Sequence, residues 1–587
     1  MDTFRVVTSL PQTSVLLASN GAVYGPVYEV NRLCIPLNRI SGSVIEALLA
    51  VEDRRFFSHR GIDLRAIGRA ACVNLRTFRL VQGGSTLTQQ LARTAVLRRT
   101  DRTLRRKLVE ALVAVALERT FTKMQILQAY LNAAYFGHNV YGIELAALTH
   151  CGKTAETLND VNAAYLVGLL KAPARYCRCC DSMRAVARTR LVMRLSGMDS
   201  TSEKEYPACG TWKPRRSWAD RLRSTGGYAS QFARRWLVQN LSKYYPAHRL
   251  IVKTTIDSHC QLALELVCRI VRRTGYSGRL ACVVQDAQSG EVKALTGGVE
   301  FRRQEFNSAT SGCLQPGSLL KPFILLAALQ KGIPLEYKYE SRPLTIQPKY
   351  GKPWAVRNAQ NHYRGWITIA DALVFSDNTV YAQLLLDIGV ESVARLLRAV
   401  GILAGTGTLA LSTGAIRQGV SPLQICTSYS IFSSLGTFWP SAIVNSAETE
   451  EHKTVWHNTT QGLQVCSSSM ASSIASLLRR VNDEGTGVLS TLPRGLAAKT
   501  GTSVSGGWHV SFDDVYRVLT WTESDFLPVG IDQYSGKAVS AKELAGRIWR
   551  LLRRSKLGFS ELFSVLAGVD SMSVRELLWV ENEFQRP

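Results

Sequence analysis

Residues 83–117 read GGSTLTQQLARTAVLRRTDRTLRRKLVEALVAVAL, and this stretch decides how the first part of the chain folds. A glycine pair followed by hydroxyl residues marks a turn that opens a helix. Basic residues come next: Arg93, Arg98, Arg99, Arg102, Arg105, Arg106 and Lys107. The stretch closes on Leu108 to Leu117, where Glu110 is the only charged residue. A helix apolar on nearly all sides is expected to be buried, and a lone buried carboxylate then needs a partner or a polar cleft. Glu52, just after the apolar run Ala47-Leu-Leu-Ala-Val51, is a second carboxylate of this kind. On pattern alone the plain reading is that each Glu is salt-bridged to one of the many arginines. The alternative is an anion site, because helix N-termini and arginine forks suit phosphate oxygens.

Around this stretch the pattern is helical from about Ser43 to Lys171, with long apolar-periodic runs and few prolines. The chain has 587 residues, more than one folding unit at about 150 residues per domain. Its 46% hydrophobic and 20% charged residues exclude a disordered or fibrous protein. The net charge is +26, and residues 52–123 alone hold 16 Lys/Arg against 6 Asp/Glu. That excess favours an anionic partner, whether nucleic acid, an acidic membrane or a phosphorylated substrate. No nucleic-acid module is recognisable, so no nucleic-acid partner is expected. The uncharged stretch Val6 to Tyr28 is broken by prolines and glycines, and reads neither as a spanning helix nor as a signal peptide. Thirteen cysteines show no repeating spacing, and Cys177, Cys179 and Cys180 have no histidine at a zinc-finger distance. Unpaired structural thiols are expected there, and no metal site.

The order of the chain predicts five segments. Residues 1–40 read as short strands and turns, 41–176 as a helical domain and 177–249 as a basic connector with some helix. From 250 to 552 strands appear at Leu250–Ile256, Leu280–Gln285 and Val292–Leu295, followed by mixed α/β structure. Residues 553–587 read as an appended helix or two. The fold class is multidomain α+β, a mainly α-helical domain followed by an α/β domain.

Four motifs between residues 52 and 143 are recognisable together. They are Glu52-Asp-Arg-Arg-Phe-Phe-Ser-His-Arg-Gly61, Gly84-Ser-Thr-Leu-Thr-Gln-Gln-Leu91, Arg106-Lys-Leu-Val-Glu110, and Tyr130-Leu-Asn-Ala-Ala-Tyr-Phe-Gly137 with Tyr141-Gly-Ile143. In this order they resemble glycosyltransferase family 51, the lysozyme-like peptidoglycan glycosyltransferase domain of bifunctional penicillin-binding proteins. The resemblance implies polymerisation of lipid II, with Glu52 as the acid/base toward the acceptor sugar and Glu110 assisting departure of the pyrophosphate. It implies that Ser85, Thr86, Gln89, Gln90, Arg93, Arg106 and Lys107 bind the donor, in keeping with the fixed positive charge a leaving pyrophosphate needs. A divalent cation, magnesium or manganese, is compatible with this chemistry without being required. Ile67, Val73, Leu75, Phe78 and Leu80 alternate with Arg65, Arg69, Arg76 and Arg79, a surface suited to an anionic membrane interface. One departure is Asn162, where the family usually has Glu; a structural position is expected.

The second chemistry begins at Pro316-Gly-Ser-Leu-Leu-Lys-Pro-Phe323, the expected start of a helix Ser318–Gln330. Ser318 and Lys321 are three residues apart and share a face. The lysine can act as a base only if burial or a neighbouring cation destabilises its ammonium. Ser-x-x-Lys is a common accidental string, but Ser376-Asp-Asn378 and Lys499-Thr-Gly-Thr502 follow it in order. This set resembles penicillin-binding proteins and class A β-lactamases. Thr254-Thr-Ile-Asp257, Phe306-Asn307 and Gly485-Thr-Gly487 extend the likeness to the β-lactamase-like transpeptidase domain of class A penicillin-binding proteins. The resemblance implies Ser318 as nucleophile, Lys321 as its base and Ser376 as a proton relay. It also implies Asn378, Lys499, Thr500, Gly501 and Thr502 as the substrate cradle, with an oxyanion hole from the backbone N–H groups of Ser318 and Thr502. Leu314 and the run Ser505-Gly-Gly-Trp-His-Val510 depart from the family, which usually has Arg and an Asp-Ala-Trp-Phe pattern there.

The resemblance therefore implies a bifunctional peptidoglycan synthase with lipid II, nascent peptidoglycan and other cell-wall synthesis proteins as partners, and β-lactams as covalent inhibitors. It places the protein at the outer, periplasmic face of the bacterial cytoplasmic membrane. The family's N-terminal membrane helix is not recognisable, which leaves a displaced start, a trimmed chain and peripheral attachment as alternatives. Competing readings are a glycosyltransferase with a silent second domain, a non-catalytic scaffold, and a β-lactamase fusion. No deacylating Glu is identifiable for the last.

Overall fold

The computed structural model describes residues 10–553 except 29, 78–83, 98–102, 178–181, 199–226, 247, 274–275, 277, 302, 348–352, 406–407, 487–491, 505 and 524–539. Most of the expected C-terminal extension, Gly83, Arg98, Arg99, Arg102, Phe78, Arg79, Leu80, Cys179, Cys180, Gly487 and Ser505 thus lie outside the described residues.

The helical body is built around two apolar helices, Gly42–Glu52 and Asp160–Leu170. Val44, Ala47 and Leu48 of the first and Leu166 and Val167 of the second are fully buried. Lys123–Ala133 and Ile143–Cys151 pack into the same core, and so does Ser182–Ser196 through Ala185, Val192 and Met193. The helical body therefore extends past 176, where the connector was expected to begin. The reason is the apolar face that this otherwise basic helix presents. Asn162 lies in the first turn of its helix, its N–H bonded to the cap Asn159 at 3.1 Å. Leu104–Thr120 corrects another expectation. Glu110 is buried, but Leu108 and Leu112 are 68% and 65% exposed. A helix without a polar face here has one apolar face left uncovered.

The α/β body holds an antiparallel sheet of five strands in the order Ala497–Ser503, Gly506–Phe512, Tyr516–Thr522, Leu280–Asp286, Val292–Thr296. Alternate residues face opposite sides, as a strand period of two requires. Val283, Trp508, Val510, Leu519 and Trp521 face the core containing helix Lys321–Gln330. Cys282, Val284 and Val518 face the helices Ser258–Arg273 and Ala541–Leu552. A second five-stranded sheet has the order Thr454–His457, Val444–Thr449, Leu250–Thr254, Ser14–Leu17, Val23–Val27. Ser14–Leu17 pairs in parallel with Leu250–Thr254, so the N-terminal strands complete a sheet whose other members come from the far half of the chain.

Candidate active sites

In the helical body the turn bearing Glu52 is locked by its neighbour Asp53. This buried carboxylate accepts from Leu87 N and bonds His59 Nε2, both at 3.0 Å, tying the end of Gly42–Glu52 to the start of Leu87–Leu91. Thr86 and Gln89 form a capping box at that start, and Thr86 Oγ1 donates to Gly61 O at 2.6 Å. Both side chains are buried, and these hydrogen bonds serve the helix start. Gly84 is pressed onto helix Leu64–Thr77: a Cβ there would lie 2.9 Å from Ile67 Cα.

Gln90 faces the Glu52 carboxylate. Its Nε2 donates to Glu52 Oε2 at 3.1 Å, while its Oε1 accepts from the buried Tyr130 hydroxyl at 3.0 Å. Glu110 is gripped from both sides, by the Arg106 guanidinium and by Lys107 Nζ at 2.9 Å. Lys107 also donates to Ser85 Oγ at 2.7 Å. Burial, then the guanidinium groups of Arg93 and Arg106, lower the Lys107 pKa from its ordinary value. Ser85, Arg93, Arg106, Lys107 and Glu110 thus form one cluster in which positive charge exceeds negative, the condition for holding an anion.

In the α/β body Ser318 sits in a 3₁₀ turn, Gly317–Leu320, and the α-helix starts only at Lys321. Lys321 is the first residue of that helix, three positions after Ser318. Gly317 has φ +58°, and a Cβ there would meet Thr502 O at 2.5 Å. Gly501 approaches Pro316 O in the same way, at 2.6 Å. The Gly317–Leu320 turn and the strand Ala497–Ser503 therefore touch backbone to backbone. Lys321 Nζ donates to Ser376 O at 2.5 Å, Ser376 Oγ at 3.3 Å and Asn378 Oδ1 at 2.7 Å. Lys499 Nζ reaches Ser376 Oγ at 3.0 Å, and Thr500 Oγ1 bonds Thr486 Oγ1 at 2.9 Å. Both lysines are fully buried. Burial, then the adjacent Lys499, holds Lys321 well below the ordinary lysine range, and burial brings Lys499 to about 7. Asp377, conspicuous in Ser-Asp-Asn, turns inward as a helix cap and accepts from Val380 N at 2.9 Å.

Sequence reasoning gave no role to Asp53, Tyr130, Thr486 or Asn358. Asp53 and Tyr130 lie inside quoted motifs, where their hydrogen bonds leave no separate pattern. Thr486 stands inside Gly485-Thr-Gly487, and Asn358 had no signal at all.

A buried, cation-flanked lysine behind a serine, joined in one chain to a carboxylate beside an arginine-rich anion cluster, defines a serine acyltransferase coupled to a glycosyltransferase. A Transglycosylase model matches residues 20–196, and a Penicillin binding protein transpeptidase domain model matches residues 280–524. The chain is similar to penicillin-binding protein 1A of Aquifex aeolicus, 29% identical over 628 residues covering 92% of this chain and 85% of that one. Similarity to penicillin-binding protein 2D of Bacillus subtilis is 28% over 565 residues, covering 92% and 80%. The crystal structure of penicillin-binding protein 1A from Haemophilus influenzae shares the fold, with a TM-score of 0.64 at 17% identity over 94% of this chain and 93% of that one. The chain belongs to the class A, bifunctional penicillin-binding proteins. It is a peptidoglycan synthase with glycosyltransferase and transpeptidase activity.

Proposed function

We propose that the helical body polymerises lipid II at the outer face of the cytoplasmic membrane and that the α/β body cross-links the stem peptides of the growing strand. Glu52 takes the proton of the acceptor sugar hydroxyl, whose oxygen then attacks the donor's anomeric carbon. The amide of Gln90, held by Tyr130, donates to the carboxylate and fixes its orientation. Arg93, Arg106 and Lys107 meet the charge of the departing pyrophosphate, and Glu110 orients two of those cations. Magnesium or manganese suits this cluster poorly, because both Glu110 oxygens already accept from cations and hard divalent ions want free oxygen ligands. The membrane reading is supported by exposed Leu64, Leu75, Leu108 and Leu112 on helices that also carry Arg65, Arg69, Arg76 and Arg105. Among the described residues no helix is long and apolar enough to cross a membrane.

In the second reaction Ser318 Oγ attacks the penultimate D-Ala carbonyl and gives its proton to Lys321 Nζ. Ser376 passes a proton to the amine of the departing D-Ala as the peptide C–N bond breaks. An amine on a neighbouring strand then attacks the ester, forming the cross-link and restoring Ser318. Asn378, Lys499, Thr500 and Thr502 hold the peptide and its carboxylate, and the close approach of Gly501 keeps that strand against the nucleophile turn. The observation that carries this reading is Ser376 Oγ standing within reach of both Lys321 and Lys499. A buried base and a hydroxyl relay are thereby assembled without substrate. Fluorescent penicillin tests it. Wild-type chain should form a long-lived adduct, while Ser318→Ala forms none and Lys321→Ala forms it far more slowly. A wild-type chain that takes no label refutes the acyl-enzyme, and rapid drug turnover points to a β-lactamase.

A further inference from the structure

Asn358 takes no part in the steps above, yet its side chain is the hub of the Ser376-Asp-Asn378 turn. Its Nδ2 donates to Asp377 Oδ2 at 2.6 Å, to Ser341 Oγ at 3.2 Å and to His362 O at 3.1 Å. Its Oδ1 accepts from Asn378 N at 2.7 Å and from Thr379 N at 3.3 Å. Those two amides open helix Asn378–Ile388, and the next, Val380 N, is met by Asp377 Oδ1. The first N–H groups of a helix have no partner within it. Here one asparagine from a distant loop satisfies two of them. The residue beside it contributes as well: Arg357 O accepts from Asn378 Nδ2 at 2.9 Å, which leaves Asn378 Oδ1 turned toward Lys321 Nζ.

Immediately before this helix, Ser376 has φ +58°. A residue with a side chain seldom adopts that left-handed conformation, and keeps it only where its surroundings leave no alternative. The constraint must come from both sides of the turn. Lys321 and Lys499 hold the Ser376 side, and Asn358 and Ser341 hold Asp377 and the backbone that follows. We propose that Asn358 is a positioning residue for transpeptidation, pinning the turn so that the Ser376 hydroxyl and the Asn378 carbonyl both meet Lys321. Only a primary amide of this length supplies an acceptor to two backbone N–H groups and donors to a carboxylate and a hydroxyl together. An aspartate keeps the shape and the acceptor, but its second oxygen faces Asp377 with like charge.

The inference rests on the transpeptidase reading, and acylation by fluorescent penicillin tests both. The saturating rate constant and the half-saturation concentration are measured for wild-type, Asn358→Ala and Asn358→Asp chains. A positioning role lowers the saturating rate about 10–100-fold, since a misplaced catalytic group costs that order, and changes half-saturation little. The aspartate adds a sign. Asp377, the carboxylate introduced by Asn358→Asp, Lys321 beyond Asn378 and Lys499 on Ser376 Oγ are the titratable groups around the turn, and the two lysines are common to both chains, so their titration cancels in the ratio. Protonating the introduced carboxylate restores a donor toward Asp377. The ratio of Asn358→Asp to wild-type rate should therefore rise as the pH falls from about 8 to about 5.5. Undiminished saturating rates in Asn358→Asp, or a pH-independent ratio, overturn the inference. If Asn358→Ala does not fold, Asn358→Asp decides alone. A wild-type chain that takes no label overturns the transpeptidase reading and this inference with it.

Discussion

Replacing His509 with Phe should stabilise the α/β body, and more so in acid. His509 lies between Thr500 and Thr520 in the second strand of the catalytic sheet, on the face that meets helix Ala541–Leu552. Its neighbours on that face are matched: Ser511 Oγ accepts from Trp549 Nε1 at 2.7 Å, and Thr520 Oγ1 donates to Ala541 O at 2.6 Å. His509 is fully buried, and neither ring nitrogen has a partner among the described residues. A neutral imidazole carries one donor and one acceptor, and each left unmet costs about 1–3 kcal/mol. Phenylalanine removes both; its larger ring takes back about 1 kcal/mol or more through crowding. The net gain near neutrality should be about 1–3 kcal/mol. Burial, then the charges of Lys542 and Lys499, push the His509 pKa down from 6.5 to about 3. The folded chain therefore stays neutral where the unfolded chain takes a proton. The stability held above pH 6.5 is lost as pH falls toward 3, at about 1.4 kcal/mol per unit. By about pH 5 the wild-type chain should lose roughly 2 kcal/mol that the Phe variant keeps. Urea unfolding of both chains, read by surviving penicillin acylation at about pH 7.5 and pH 5, measures the gap. An equal gap at the two pH values would mean that His509 is hydrogen-bonded or protonated in the fold, and the reasoning fails.

Glu52→Gln keeps a polar side chain beside Gln90 but removes the proton acceptor. Glycan polymerisation from lipid II should fall about 10²–10⁴-fold while penicillin labelling persists, and a normal ladder of glycan products on a gel would exclude Glu52 as the catalytic carboxylate. The chain should float with anionic liposomes at low salt, drawn by about 1 kcal/mol per basic residue near the surface, and should be released as salt rises. Failure to associate at low salt would remove the membrane role assigned to helices Leu64–Thr77 and Leu104–Thr120.

Much of both sites was legible because their residues are close in sequence or lie in ordered motifs. Glu52, Ser318 and Lys321 stand at helix ends, Glu110 inside an apolar helix and Lys499 on an edge strand, positions that short-range pattern marks. What sequence could not distinguish was which polar groups of a motif face the ligand and which face the protein. Beside Ser85 in a string suited to phosphate, Thr86 and Gln89 also close the capping box of the helix, because its first turn needs acceptors of its own. Gln90, one position on, falls on the other face and meets Glu52. The exposure of Leu108 and Leu112 was hidden for a related reason. A helix apolar all round says nothing about which side has a neighbour. Asn358 was invisible because its partners at the turn, Ser341, Asp377, Asn378 and Thr379, lie 17 to 21 residues away across other elements, without periodicity.

The N-terminal strands show the same limit at the scale of the whole chain. Residues 14–27 read correctly as strands and a turn, but their partner is Leu250–Thr254, more than two hundred residues on. A parallel pair always needs a crossover connection. Here the crossover is the entire glycosyltransferase body, which leaves the sheet after Val27 and returns to it at Leu250. On the way out the chain is also fastened to that body: Asn132 exchanges hydrogen bonds with Ile35, and Gln128 accepts from Leu37 N at 2.9 Å. Asn132 belongs to the motif that begins at Tyr130, whose hydroxyl orients the amide facing Glu52. The segment joining the two bodies is thus bonded at one end to the sheet beside the transpeptidase and at the other to the helix that supports the glycosyltransferase carboxylate. Cutting the chain near residue 249 would strip Leu250–Thr254 of its parallel neighbour and leave an unpaired edge. The two activities share one structural frame, and the segment from Ser14–Leu17 to Leu37 is bonded into both parts of it.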